Sequence, residues 1–259
     1  MNFLIIALFS TLGLMFAMLL FIEIGWRSGN TQRQRNPEGL PKGIGVAEGA
    51  VFGLLGLVIA FAFSGAATRF EARRHLITEE ANAIGTAYLR IDLMPAGAQP
   101  ELRELFRRYT TVRATAYTNV ADTATTQARL AEGTALQTAI WHRTIAESRK
   151  PETPSPATML MVPALNEMID ITSTRVMATE NHPPPVVYML LGGLCLIGSL
   201  LVGYSMAENK KRNIPHSIAF AMILALATYV IIDLDFPRVG LIRIDAADHM
   251  LRDLAATMR

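Results

Sequence analysis

The sequence predicts an all-α membrane protein, with four transmembrane helices and a helical extramembrane insert between spans two and three. Three observations predict it. Four apolar segments free of Asp, Glu, Lys and Arg have the length of a bilayer span. A polar region, 68–184, separates them two and two and carries apolar residues at helical spacing. The second span also runs into a charged helix with no Gly-Pro break between them.

The four segments are 3–22, 49–67, 186–204 and 214–232. A hydrocarbon core about 30 Å thick needs roughly 20 apolar residues as helix, and all four fit. The fourth is the least uniform, because Pro215 and His216 stand at its start. The first lacks a basic stretch before it and a small-residue cleavage site after it, so it is read as an uncleaved membrane helix. Trp26 suits the interfacial aromatic belt that follows such a span. Hydrophobic residues make up 51% of the chain and charged residues 18%, against about 25% charged in soluble domains. The single Cys195, inside the third span, excludes an internal disulfide and a cysteine-based zinc site. A net charge of +2, with no basic stretch carrying interleaved aromatics, gives no basis for nucleic-acid binding.

Residues 25–47 read as a polar connector and 205–213 as a short one. The domain organisation expected is therefore 1–67 for the first two spans with connector 25–47, 68–184 for the helical region, and 185–259 for the last two spans and tail. Within the insert, helices are expected at about 66–93, 98–119, 121–149 and 156–181. Their apolar stripes are Phe70, Ile77, Ala81, Ile84 and Tyr88; then Leu102, Leu105, Phe106, Tyr109 and Val112; then Leu136, Ile140, Trp141 and Ile145; then Leu165, Met168, Ile169 and Ile171. Pro95 to Gly97, Lys150-Pro151 and Pro183 to Pro185 break them, and Pro163 either lies inside the last helix or marks its first turn.

An even number of spans puts both termini and the insert on one side. Lys and Arg do not choose that side. Arg27, Arg33, Arg35, Lys42, Lys210, Lys211 and Arg212 face one way, and Arg69, Arg73, Arg74, Arg175, Arg238 and Arg243 the other.

The stretch "AFAFSGAATRFEARRHLITEEANAIGTAYLR" (60–90) begins as membrane sequence and ends as an amphipathic helix. A helix that leaves the bilayer for roughly 25 residues, about 37 Å, has to pack within an extramembrane domain. Arg69, Arg73 and Arg74 form a basic collar at the exit, with Glu71, Glu79 and Glu80 as nearby counter-charges. Such a collar either snorkels to headgroups or, repeated about an oligomer axis, attracts anions to a pore mouth. On the span itself Gly49, Gly53 and Gly56 suit close helix packing. Phe52, Leu55, Ile59 and Phe63 form a stripe that is either lipid- or core-facing or the lining of a hydrophobic constriction. Glu48 precedes the span.

"GLLGLVIAFAFSGAATRFEARR" resembles the second membrane helix of bestrophins. "DLDFPRVGLIRID" is similar to the motif after the last bestrophin span, with Asp233, Asp235, Pro237 and Gly240 as the matching residues. With Glu80-Ala81-Asn82-Ala83-Ile84, these stretches resemble a family of small bacterial bestrophin-like membrane proteins over nearly the whole chain. The order Asp235-Phe236-Pro237 departs from the bestrophin tail pattern, and Phe61 and Phe63 are followed by Ala62 and Ser64 where an Arg is usual. The resemblance implies a homo-oligomeric, pentameric channel in a bacterial plasma membrane. It implies that the second span lines the pore, that anions such as chloride pass, and that termini and insert are cytoplasmic. Its partners are the lipid bilayer, inorganic ions and copies of itself. A non-conducting scaffold whose helical insert binds a partner is the alternative.

No cofactor is expected. Asp233, Asp235, Asp245 and Asp248 are spaced unlike any EF-hand loop, so no metal site is expected either. The histidines (His75, His142, His182, His216, His249) form no zinc-protease pattern, and no nucleophile elbow or phosphate loop occurs, so no enzyme is expected. Asp233 and Asp235, two apart on one helix, diverge too much for a shared-proton pair. They are expected to accept backbone or Arg bonds at the membrane exit, with Arg238 and Arg243 as candidate partners.

Overall fold

The computed structural model describes residues 3–35, 44–117, 122–208 and 213–258. Among them are eight α-helices, one 3-10 turn and no strand. The helices are α1 (Phe3–Arg35), α2 (Ile44–Leu89), α3 (Gln99–Thr115), α4 (Thr123–Ser148), α5 (Ser155–Glu180), α6 (Pro185–Met206), α7 (Ile214–Asp235) and α8 (Asp245–Thr257), with the 3-10 turn at Arg90–Leu93 after α2. Four helical stretches are long and apolar enough to cross a membrane. Lys42, Lys210, Lys211 and Arg212, with Pro37 and Pro41 of the connector, lie outside the described residues.

The chain divides into two compact units. One comprises 1–68 and 182–236, and the other 69–181 and 237–259. The tail after α7 therefore packs with the central helices.

The first unit is built from α1, the first half of α2, α6 and α7. α1 does not stop at the end of its apolar run. It continues into the expected connector as far as Arg35, held by an i,i+4 pair between Glu23 and Arg27 (2.6 Å) and ending on Arg33 and Arg35, which suit the negative helix terminus. Glycine explains the length. A Cβ at Gly25 would lie 2.0 Å from the Leu200 carbonyl oxygen, and one at Gly203 2.0 Å from the Ile22 oxygen. α1 and α6 thus touch backbone to backbone, the close approach that small residues allow between membrane helices. Gly198 of α6 similarly receives Phe52 and Leu55 of α2. Pro183 to Pro185 separate α5 from α6, and Pro185 opens α6 where its missing N–H costs nothing. Asn213 caps α7 by accepting from the His216 N–H.

The second unit contains the rest of α2, the 3-10 turn, α3, α4, α5 and α8. Its core joins Ile77, Ile84 and Ile91 to Leu102, Phe106 and Tyr109, to Leu136 and Ile140, to Met161, Leu165 and Met168, and to Ile244, Leu251 and Met258. The expected stripes supply most of these residues. Phe70, Leu105, Val112, Trp141, Ile169 and Ile171 pack at its margin. Asp122 caps α4 through the Thr125 N–H (3.1 Å). Pro163 lies inside α5, which begins at Ser155, so the first-turn alternative is set aside.

Candidate functional site

α2 is one uninterrupted helix of 46 residues, about 69 Å long at 1.5 Å per residue. Its membrane half has two unlike faces. On one, Leu55 is 2% exposed, against Gly198, and Phe52 meets the Phe220 ring edge-on at 6.0 Å. Ile59 is half-buried and Ala66 buried. On the other, Gly49, Gly53 and Gly56 face open space within the protomer, and Ala60, Phe61, Phe63 and Ser64 are exposed. The apolar stripe is split, with Phe52 and Leu55 packed inside the bundle and Phe63 open. Among the described residues, nothing lies within 4 Å of where a Cβ would stand at the three glycines. Helix contact falls instead to Gly25, Gly29, Gly198 and Gly203. Glu48 is half-buried in the first turns of α2.

The C-terminal end of α7 places two carboxylates out of solvent. Asp233 and Asp235 are both fully buried. The Tyr188 hydroxyl donates to Asp235 (2.7 Å), and the Tyr229 hydroxyl to Asp233 (3.3 Å). His182 stacks on Phe236, their centroids 4.4 Å apart. The expected arginine partners bond elsewhere: Arg238 to Asp248 (2.8 Å) and Arg243 to Asp245 (2.6 Å). Pro237 and Gly240 are buried, and the Pro237 carbonyl accepts from the Ile244 N–H.

The three arginines of the expected collar do three different things. Arg74 is exposed and pairs with Glu71 (2.9 Å), as the sequence led one to expect. Arg69 is half-buried. Arg73 turns inward, 5% exposed, and donates to the carbonyls of Ala178 and Asn181, both at 2.9 Å. It caps the C-terminus of α5, where unpaired carbonyls and the helix dipole favour a cation. Arg73→Ala is expected to cost about 1.5–3 kcal/mol, the worth of hydrogen bonds to a charged group, and to fray α5 from its end. Hydrogen exchange of residues 176–181 checks it. Unchanged protection there would remove this role.

The family model for the bestrophin-like domain matches residues 15–248. The chain belongs to this family. Three crystal structures of single-residue variants of a bacterial bestrophin homologue from Klebsiella pneumoniae share the fold. The first has a TM-score of 0.71 at 12% identity, covering 94% of this chain and 99% of that one. The others have TM-scores of 0.69 at 12% and 0.67 at 14% identity, covering 95% and 97% of this chain and 100% and 98% of theirs. No curated protein matches the sequence. The protein is thus a bestrophin-like membrane protein.

The helical unit of this bestrophin-like chain also holds a buried charge network that the sequence did not reveal. Glu80 is fully buried and accepts from Arg113 and Arg175. Arg175 continues to Asp248 (3.0 Å), and Asp248 to Arg238 (2.8 Å). The result is an alternating chain of Arg113, Glu80, Arg175, Asp248 and Arg238. Burial pushes the Glu80 carboxyl up, but the Arg175 and Arg113 guanidiniums outweigh it and hold the carboxyl below its ordinary value. Burial first, then the Glu80 charge, pushes the neighbouring Tyr109 phenol up to about 12. Tyr109 is therefore a neutral hydroxyl, bonded to Thr172 (3.0 Å) and Gln137 (2.9 Å).

Proposed function

We propose that this protein is an oligomeric, pentameric ion channel of a bacterial plasma membrane, conducting anions such as chloride, with α2 lining the ion path. The observation that carries the proposal is the open face of α2. A protomer leaves Gly49, Gly53, Gly56, Ala60 and Ser64 uncovered, beside the exposed Leu54, Leu57 and Phe61, on a span that buries Leu55 and Ala66. Those five positions recur at three- and four-residue steps, so they form one stripe. A narrow apolar path of this kind gates by wetting and dewetting. Ile59 and Phe63 flank the stripe. Arg69 and Arg74, farther along the same helix, supply the positive charge that favours anions.

The test is reconstitution in planar bilayers under asymmetric chloride, in a Cys195→Ala background. Discrete currents reversing near the chloride potential are expected. With Gly56→Cys or Ala60→Cys, a charged thiol reagent should block them, and with Leu55→Cys it should not. Reversal near the cation potential would overturn anion selection. Equal block at position 55 would overturn the assignment of the face, and silence from a folded oligomer would overturn conduction.

A further inference from the structure

Among the described residues, the charge network in the helical unit does not balance. Arg113, Arg175 and Arg238 bring three positive charges, and Glu80 and Asp248 two negative ones. The side chains of Arg113 and Arg175 are 2% and 3% exposed, Glu80 0%, and Arg238 and Asp248 10% each. Removing one unbalanced charge from water costs several kcal/mol, so a surplus in such a place calls for an anion. The two ends of the chain show where it belongs. Both ends are arginines. Among the described residues, neither the Arg113 Nη2 nor the Arg238 Nε, each buried, has a hydrogen-bond acceptor.

Both ends also lie against one aromatic ring. The guanidinium carbons of Arg113, Arg175 and Arg238 lie 5.9, 5.0 and 4.5 Å from the centre of one ring, that of Tyr117. The three guanidiniums therefore gather at Tyr117, whose ring face attracts cations without neutralising them. One more negative group between Arg113 and Arg238 would turn an open chain into a closed, neutral ring.

We propose that the cluster binds one small monovalent anion of the halide class, held by the Arg113 Nη2 and Arg238 Nε donors beside Tyr117. A single surplus charge calls for a monoanion. The near-complete burial of its donors calls for a compact one. The site lies wholly in residues 80–248 of the helical unit and does not rest on the conduction proposal.

Thermal unfolding of the full-length protein tests it, with chloride exchanged for gluconate at constant ionic strength and pH 7. Chloride should raise the unfolding midpoint saturably by about 3 °C or more, the size of effect a ligand at roughly ten times its Kd produces. Arg238→Gln removes the surplus and should abolish the rise, whereas Arg243→Gln, at an exposed pair, should retain it. Equal midpoints in the two anions, or a full chloride response in Arg238→Gln, would overturn the site. If Arg238→Gln does not fold, wild-type crystals in sodium bromide decide: an anomalous peak in hydrogen-bond contact with Arg113 and Arg238 supports the proposal, and its absence there overturns it.

Discussion

Glu80→Gln is expected to destabilise the helical unit by about 3–5 kcal/mol, the usual cost of removing one partner from a buried ion network. The carboxylate it deletes is fully buried and is shared by Arg113 and Arg175. An amide keeps the shape but carries no charge, so two guanidiniums stay in the interior with their principal counter-ion gone. At roughly 2–4 °C per kcal/mol for a domain of this size, the unfolding midpoint should fall by on the order of 10 °C. The same carboxylate sets an acid limit. Arg175 and Arg113 hold its folded pKa below the ordinary value of 4.5. A group depressed in the folded state contributes stability in full above its unfolded pKa and loses it as pH falls through the folded one. Wild-type melts should therefore lose the Glu80 contribution only below about pH 4.5. Glu80→Gln should start low at pH 7 and lack that part of the acid decline. A midpoint within about 1 °C of wild type at pH 7 would show that the network adds little to stability.

How legible this was differs from feature to feature. The spans could be read directly, because an uncharged run of about 20 residues has few other uses. The insert's core was legible through period, since Leu102, Phe106 and Tyr109 repeat at steps of four and three. The same period held the missed signal. Arg113 stands four residues after Tyr109, Arg175 seven after Met168, and Glu80 three after Ile77, all in the apolar register. Charges in an apolar register mark buried partners. Their partners lie 33 and 95 residues away, however, and local spacing cannot pair them. The same limit explains the collar. Arg73 looks like a membrane-surface charge until the end of α5, 105 residues away, is brought against it. Glycines are ambiguous for a related reason. A glycine permits a close approach but does not name the partner. The three in α2 looked like contact points, while Gly25 and Gly29 looked like connector. Only the crossing of α1 and α6 distinguishes them.

That crossing carries the other large effect. Gly203→Ala would place its Cβ 2.0 Å from the Ile22 oxygen, 2.7 Å from its carbonyl carbon and 2.8 Å from its Cα. All three are backbone atoms of α1, so no side chain can swing aside and the helices have to separate. Gly25→Ala meets the Leu200 oxygen at 2.0 Å and the Tyr204 nitrogen at 2.9 Å from the opposite side. Two terms compete at every helical glycine. Alanine gains about 1 kcal/mol of helix propensity, whereas overpacking costs about 1–3 kcal/mol and more where only backbone can yield. At Gly203 the steric term wins, with an expected loss above about 3 kcal/mol. At Gly13 and Gly192, where nothing lies within 4 Å in the protomer, propensity should win and stability should hold or rise. The double variant Gly25→Ala with Gly203→Ala should cost less than the sum of the singles, because once the helices part at one point the second clash is relieved. Heating the detergent-solubilised protein and following the folded fraction by size exclusion measures all five. If Gly203→Ala survives to the same temperature as Gly192→Ala, α1 and α6 do not depend on backbone contact, and the extension of α1 beyond its apolar run needs another cause.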